Sequence, residues 1–66
     1  MLTELELRMA TRGFVMRTIH LLDEAGWALE AQGLADELTK AQRDLPDLLS
    51  VRDTAEHLAA QLEATR

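Results

Sequence analysis

The chain has 66 residues, 47% of them hydrophobic and 29% charged, with a net charge of −5 and no cysteine. That length allows one domain, spanning 1–66, and excludes a layered enzyme with its own deep cleft. Without cysteine there is no disulfide framework and no thiol nucleophile, and a zinc site would need the two histidines plus carboxylates.

The hydrophobic fraction exceeds that of a disordered acidic tail. No apolar run approaches the ~18 residues of a membrane span. The opening MLTELELR lacks the basic-then-apolar layout of a secretion signal. The expectation is a cytoplasmic protein with no membrane partner. Ala, Leu, Glu, Arg and Gln dominate, whereas Val15, Ile19, Val51 and the threonines are scattered, a composition that favours helix over strand. Gly13, Gly26, Gly33 and Pro46 are too few and too far apart for hairpin turns. The fold class expected is all-α.

In chain order, Thr3 with Glu6 forms a capping-box pattern that starts the first helix. Beyond it Leu7, Phe14, Leu21 and Ala28 recur every seven residues, with Thr11, Thr18 and Ala25 between them. Val15, Leu22 and Leu29 repeat at the same interval alongside, making one broad apolar face. Gly33 is suited to a left-handed stop, and Gly26 within the helix costs only ~1 kcal/mol relative to alanine. The first helix is therefore expected over about 3–31, with a turn at Gly33.

The second half carries Leu34, Ala41, Leu48, Ala55 and Leu62 at intervals of seven, and Leu38, Leu45, Arg52 and Ala59 on the alternate seam. The phase runs through Pro46, which predicts a second helix over about 34–64 kinked near that proline. Asp44 is placed to cap a restart with Pro46 in its first turn, and Ser50 with Asp53 is a rival restart point. The expected architecture is a hairpin of two long helices. Its alternative is three short helices with a real corner at Gly26 or Pro46.

A hairpin of this size shares one seam, which rarely stabilises so small a chain. It would also leave a second apolar stripe in water: Leu2, Met9 and Met16 lie seven apart, with Leu5 and Ile19 beside them and Trp27 continuing the line. Such a patch marks an interface, so two hairpins are expected to pair as an antiparallel four-helix bundle. Leu2, Leu5, Met9, Met16, Ile19 and Trp27 are the candidate dimer or partner contacts, with Trp27 the expected binding hot spot.

Charge divides along the chain. Residues 1–22 hold three arginines against two glutamates (+1), and residues 23–66 hold ten acids against four cations (−6). Most of these acids read as solvated helix surface. Asp36, Glu37, Asp44 and Asp47 are nonetheless candidates to steer a basic partner, and Arg8 and Arg12 are the candidate cationic contacts. His20 with Glu24 and Asp53 with His57 are i, i+4 pairs that lack third and fourth metal ligands. No phosphate loop, catalytic triad or HExxH pattern occurs, so neither an enzyme nor a cofactor or metal protein is expected.

The reading that follows is a non-enzymatic regulator that binds another protein. One form is an anti-activator of a phage or mobile element that sequesters a host transcription factor, and the excess of arginine over lysine fits a GC-rich coding sequence. In length and expected topology the chain resembles the small helical-hairpin dimers of the plasmid copy-number regulator type (Rop-like). That resemblance is one of architecture, and it implies RNA binding through residues such as Arg8 and Arg12. A net charge of −5 weighs against phosphate binding. A structural or assembly-chaperone role is a third alternative.

Overall fold

The computed structural model describes residues 1–65. Thr3 caps α1 (Glu4–Glu24) by the reciprocal pattern its sequence announces: its hydroxyl accepts from the Glu6 amide at 3.1 Å, and its own amide reaches the Glu6 carboxylate at 3.4 Å. The helix ends at Gly26, seven residues before the expected stop. Gly26 takes φ +85°, its amide donates to the Asp23 carbonyl, and the Trp27 amide donates to the Leu22 carbonyl at 2.9 Å. This is a Schellman ending, and its usual hydrophobic clasp is present because Trp27 packs against the core that contains Leu22.

Gly33, expected at the turn, lies instead inside α2 (Ala28–Ala41), with open space where a Cβ would stand. α2 closes at Gln42, and Leu45 opens α3 (Leu45–Ala64) with Asp44 at its N-cap and Pro46 in its first turn. Proline is tolerated there because the first-turn amides have no helical partner to lose. Pro46 thus sits just after a corner rather than at a kink within one long helix, and the restart is at Asp44, not at Ser50. Asp44 acts through its backbone, since its side chain makes no capping hydrogen bond.

The hairpin of two long helices, 3–31 and 34–64, is therefore replaced by three helices, the arrangement named as its alternative. Each helix packs against both others, within extents of 35 × 24 × 15 Å. The reason is enclosure: two helices share one seam, whereas three surround an axis. From α2 and α3 the heptad line Leu34, Ala41, Leu48, Ala55 and Leu62 is buried throughout, so its phase survives the reversal at residues 42–44. α1 contributes Thr11, Val15, Thr18 and Leu22. The Leu7/Phe14/Leu21 line expected to lead this face is rotated to its edge, with Leu21 exposed and Phe14 half-buried.

Thr11 and Thr18 enter the core because their hydroxyls are satisfied within the helix, donating to the Leu7 and Phe14 carbonyls at 2.7 and 3.0 Å. Among the described residues no helix is long and apolar enough to cross a membrane.

The two glycines give opposite stability changes on mutation. Gly33→Ala is expected to stabilise by about 0.8–1 kcal/mol, the helix-interior preference of alanine over glycine. Gly26→Ala is expected to destabilise by about 1 kcal/mol, because alanine resists φ above zero. Urea midpoints at constant m-value measure both, and a continuous helix through residue 26 would reverse the signs.

Candidate functional site

α1 buries only one side. Thr11, Val15, Thr18 and Leu22 face the core, so positions about half a helical turn away face solvent. There the sequence places apolar residues: Leu2, Leu5, Met9 and Met16 are exposed by 59, 63, 65 and 51%. Leu2 precedes the helix and the other three lie along its outer side. The chain's own fold covers none of them, and a run of this kind exceeds the scattered apolar residues normal on a surface.

The other two members of the expected interface are placed differently. Ile19 and Trp27 are half-buried and packed against the core, Ile19 at the α1–α2 contact and Trp27 at the corner. Trp27 closes the Schellman turn, a structural duty that its spacing from Met16 does not reveal. Leu29, which extends the Val15/Leu22 repeat, is exposed at the start of α2 because the helix carrying that repeat has already ended.

Beside the apolar stripe lies a groove of about 770 Å³ between the N-terminal half of α1 and the α2–α3 corner. Leu5, Leu38 and Leu48 form its apolar lining, and Arg8, Arg12 and Arg43 stand around it. Arg8 and Arg12 are one turn apart on α1. Arg8 Nη2 donates to the Glu4 carboxylate at 2.9 Å, while its Nε–H is buried without an acceptor. Arg12 Nη1 donates to the Gln42 carbonyl at 3.2 Å, tying α1 to the corner. Arg43 carries no ion pair among the described residues.

The corner itself is tight. Gln42 has φ 52° and ψ −111°, the geometry that a type II′ turn assigns to glycine, and the Asp44 amide closes it onto the Ala41 carbonyl at 3.0 Å. This turn carries Arg43 to the side of the groove opposite α1. Sequence reasoning singled out Arg8 and Arg12 but missed Arg43, because nothing in the periodicity says that residues 8 and 43 line one groove.

The acidic candidates Asp36, Glu37, Asp44 and Asp47 are all exposed on α2 and the start of α3. Glu37 and Asp47 share a shallower groove of about 200 Å³ with Lys40. His20 and His57 are exposed on different helices, and no cluster of three metal-ligating side chains occurs among the described residues.

Neither a protein-family model, nor a curated protein, nor a solved structure matches this chain.

The corner is expected to respond to mutation from both sides. Gln42→Gly should raise stability by about 1 kcal/mol by relieving the positive φ. Arg12→Ala should lower it by about 0.5–1 kcal/mol through loss of one partly exposed charged hydrogen bond. Thermal melts of the two single variants and the double variant check this, and coupling between the sites should appear as non-additivity.

Proposed function

We propose that this chain is a small non-enzymatic regulator that works by binding protein surfaces. It pairs with a second copy through the outer stripe of α1 and occludes a protein target, such as a DNA-binding regulator. The single observation that carries this reading is the exposure of Leu2, Leu5, Met9 and Met16 along one side of the molecule. Full burial of such a side chain contributes roughly 1.5–3 kcal/mol, and a two-fold pair counts each residue twice. Association costs of ~4–15 kcal/mol oppose that gain, so a reversible dimer is expected rather than an obligate one.

Each protomer already encloses its own core, so pairing joins two three-helix units rather than completing a four-helix bundle. Methionine suits this role because its unbranched, polarizable side chain repacks against different partners. That same property lets the stripe exchange a second copy for a heterologous surface. The exposed carboxylates of Asp36, Glu37, Asp44 and Asp47 supply long-range attraction for a basic target, raising its rate of association more than its affinity. Occlusion asks for no catalytic group. It asks for a rigid small body with an adhesive side, which is what supports the reading here.

Sedimentation velocity over a concentration series tests the pairing on the wild type, Met9→Asp and Met16→Asp. The wild type is expected to sediment faster as concentration rises, while both variants keep their helical circular dichroism and stay monomeric. Because both side chains are exposed in the protomer, loss of folding is not the expected effect. A wild type that stays monomeric up to roughly millimolar concentration, the range of the weakest specific pairs, would sink the self-association.

A further inference from the structure

Gly13 stands in the middle of α1, where glycine is less favourable than alanine, and the protomer's own fold does not call for it. It has no positive φ, and the nearest atom that an added Cβ would meet is Arg17 Nη1 at 3.5 Å. That is ordinary contact with the far end of a flexible side chain. Gly13 lies four residues after Met9 and three before Met16, so it shares their side of the helix. The exposed apolar line of α1 therefore has a gap at its centre. Gly33 is different: Leu29 precedes it on its side of α2, but Asp36 and Glu37 follow.

We infer that Gly13 is the point at which the α1 helices of two copies cross, running antiparallel. This rests on the self-pairing proposed above and adds its direction and register. The distance between packed helices is set by the side chains at their contact, and glycine lets the two backbones come close. Met9 and Met16 then fill the space on either side of the crossing.

The occupant is a second copy because the surface complements itself, as a two-fold pair requires. An antiparallel crossing centred between residues 12 and 13 sets Met9 level with the second copy's Met16, and Leu5 level with its His20. At about 100° per residue, Glu6 and Arg17 lie on one flank of the stripe. The same flank of the second copy faces it, and each Arg17 falls within two residues of the level of the opposite Glu6. Arg17 carries no ion pair among the described residues, and Glu6 uses only Oε1 in its capping box with Thr3. Two reciprocal ion pairs thus have both partners to hand. Arg12 would meet its own copy near the centre, but its guanidinium is drawn to the Gln42 carbonyl at the α2–α3 corner. A helix of a different protein has no need of this symmetry.

Charge sets the direction. Residues 1–22 sum to +1 and residues 23–66 to −6, so α1 is the side on which two acidic copies repel least. α1 ends in Asp23 and Glu24. Parallel copies would gather four of these carboxylates at one end. Antiparallel copies keep them apart and bring each pair toward the N-terminal end of the opposite helix, where the helix dipole favours negative charge.

The test exploits the absence of native cysteine. Met9→Cys and Met16→Cys are checked for wild-type helical circular dichroism, then oxidised separately and as an equimolar mixture. The mixture is expected to form its mixed disulfide about tenfold faster than either variant cross-links with itself. In the antiparallel register, identical positions lie seven residues, roughly 10 Å, apart along the axis, too far for a disulfide. Gly13→Leu supplies a second measurement. Leucine is a good helix former and adds apolar surface, so the variant is expected to melt higher than the wild type at low concentration. Its dimer dissociation constant is nonetheless expected to rise about tenfold or more, because the side chain holds the helices apart.

Sedimentation of the unmodified chain keeps two failures distinct. A chain that stays monomeric would remove the self-pairing and this crossing with it. A chain that dimerises, while each cysteine variant cross-links with itself as fast as the mixture reacts, would overturn the antiparallel register alone. A Gly13→Leu variant that pairs as tightly as the wild type, or more tightly, would overturn the close crossing at Gly13.

Discussion

Leu22, Leu34 and Leu48, one from each helix, are buried with Val15 in a single core, and three helices are the fewest that enclose such a set from all sides. In a chain of 66 residues the surface is large relative to the interior, so every buried position counts toward a small margin of stability. The need to surround this core explains the lengths of the helices. α1 and α3 run 21 and 20 residues, while α2, with 14, spans the space left between them.

The two corners follow from that requirement. At the first, glycine adopts a positive φ without steric cost, and Trp27 folds back over the end of α1 to seal it. At the second, Gln42 occupies a backbone region better suited to glycine, and Arg12 reaches from α1 to hold its carbonyl. One corner is favourable by local preference; the other is held by a tertiary contact. The second corner also brings Arg43 toward Arg8 and Arg12, so the contact that secures the turn helps assemble the cationic groove.

The outside of the molecule is divided as sharply as the inside. An apolar line runs along α1, cations gather beside it, and carboxylates spread over α2 and the start of α3. A fold this small has no spare interior in which to hide surplus leucines and methionines, so Leu2, Leu5, Met9 and Met16 stay exposed on one side.

The residues themselves determined the helical class, the cap at Thr3 and the buried heptad line from Leu34 to Leu62, whereas Asp44 with Pro46 in the first turn was one of two restart points they offered beside a kinked continuous helix. Each rests on local preference or on a spacing that holds wherever the helix lies. The exposed stripe of Leu2, Leu5, Met9 and Met16 was legible for the same reason, as the side of α1 left over once one apolar face is used. The choice between Gly26 and Gly33 was not. Both are followed by a hydrophobic residue, Trp27 or Leu34, and both have a leucine four residues before them, Leu22 or Leu29, so each carries the local signature of a Schellman ending. Only packing separates them: ending α1 at Gly26 frees Ala31, Leu34 and Leu38 to close the core from a third side. The same holds for Trp27, drawn into the corner, and for Arg43, brought to the groove by a turn between helices. Their positions depend on contacts between residues distant in the chain, which local periodicity does not encode.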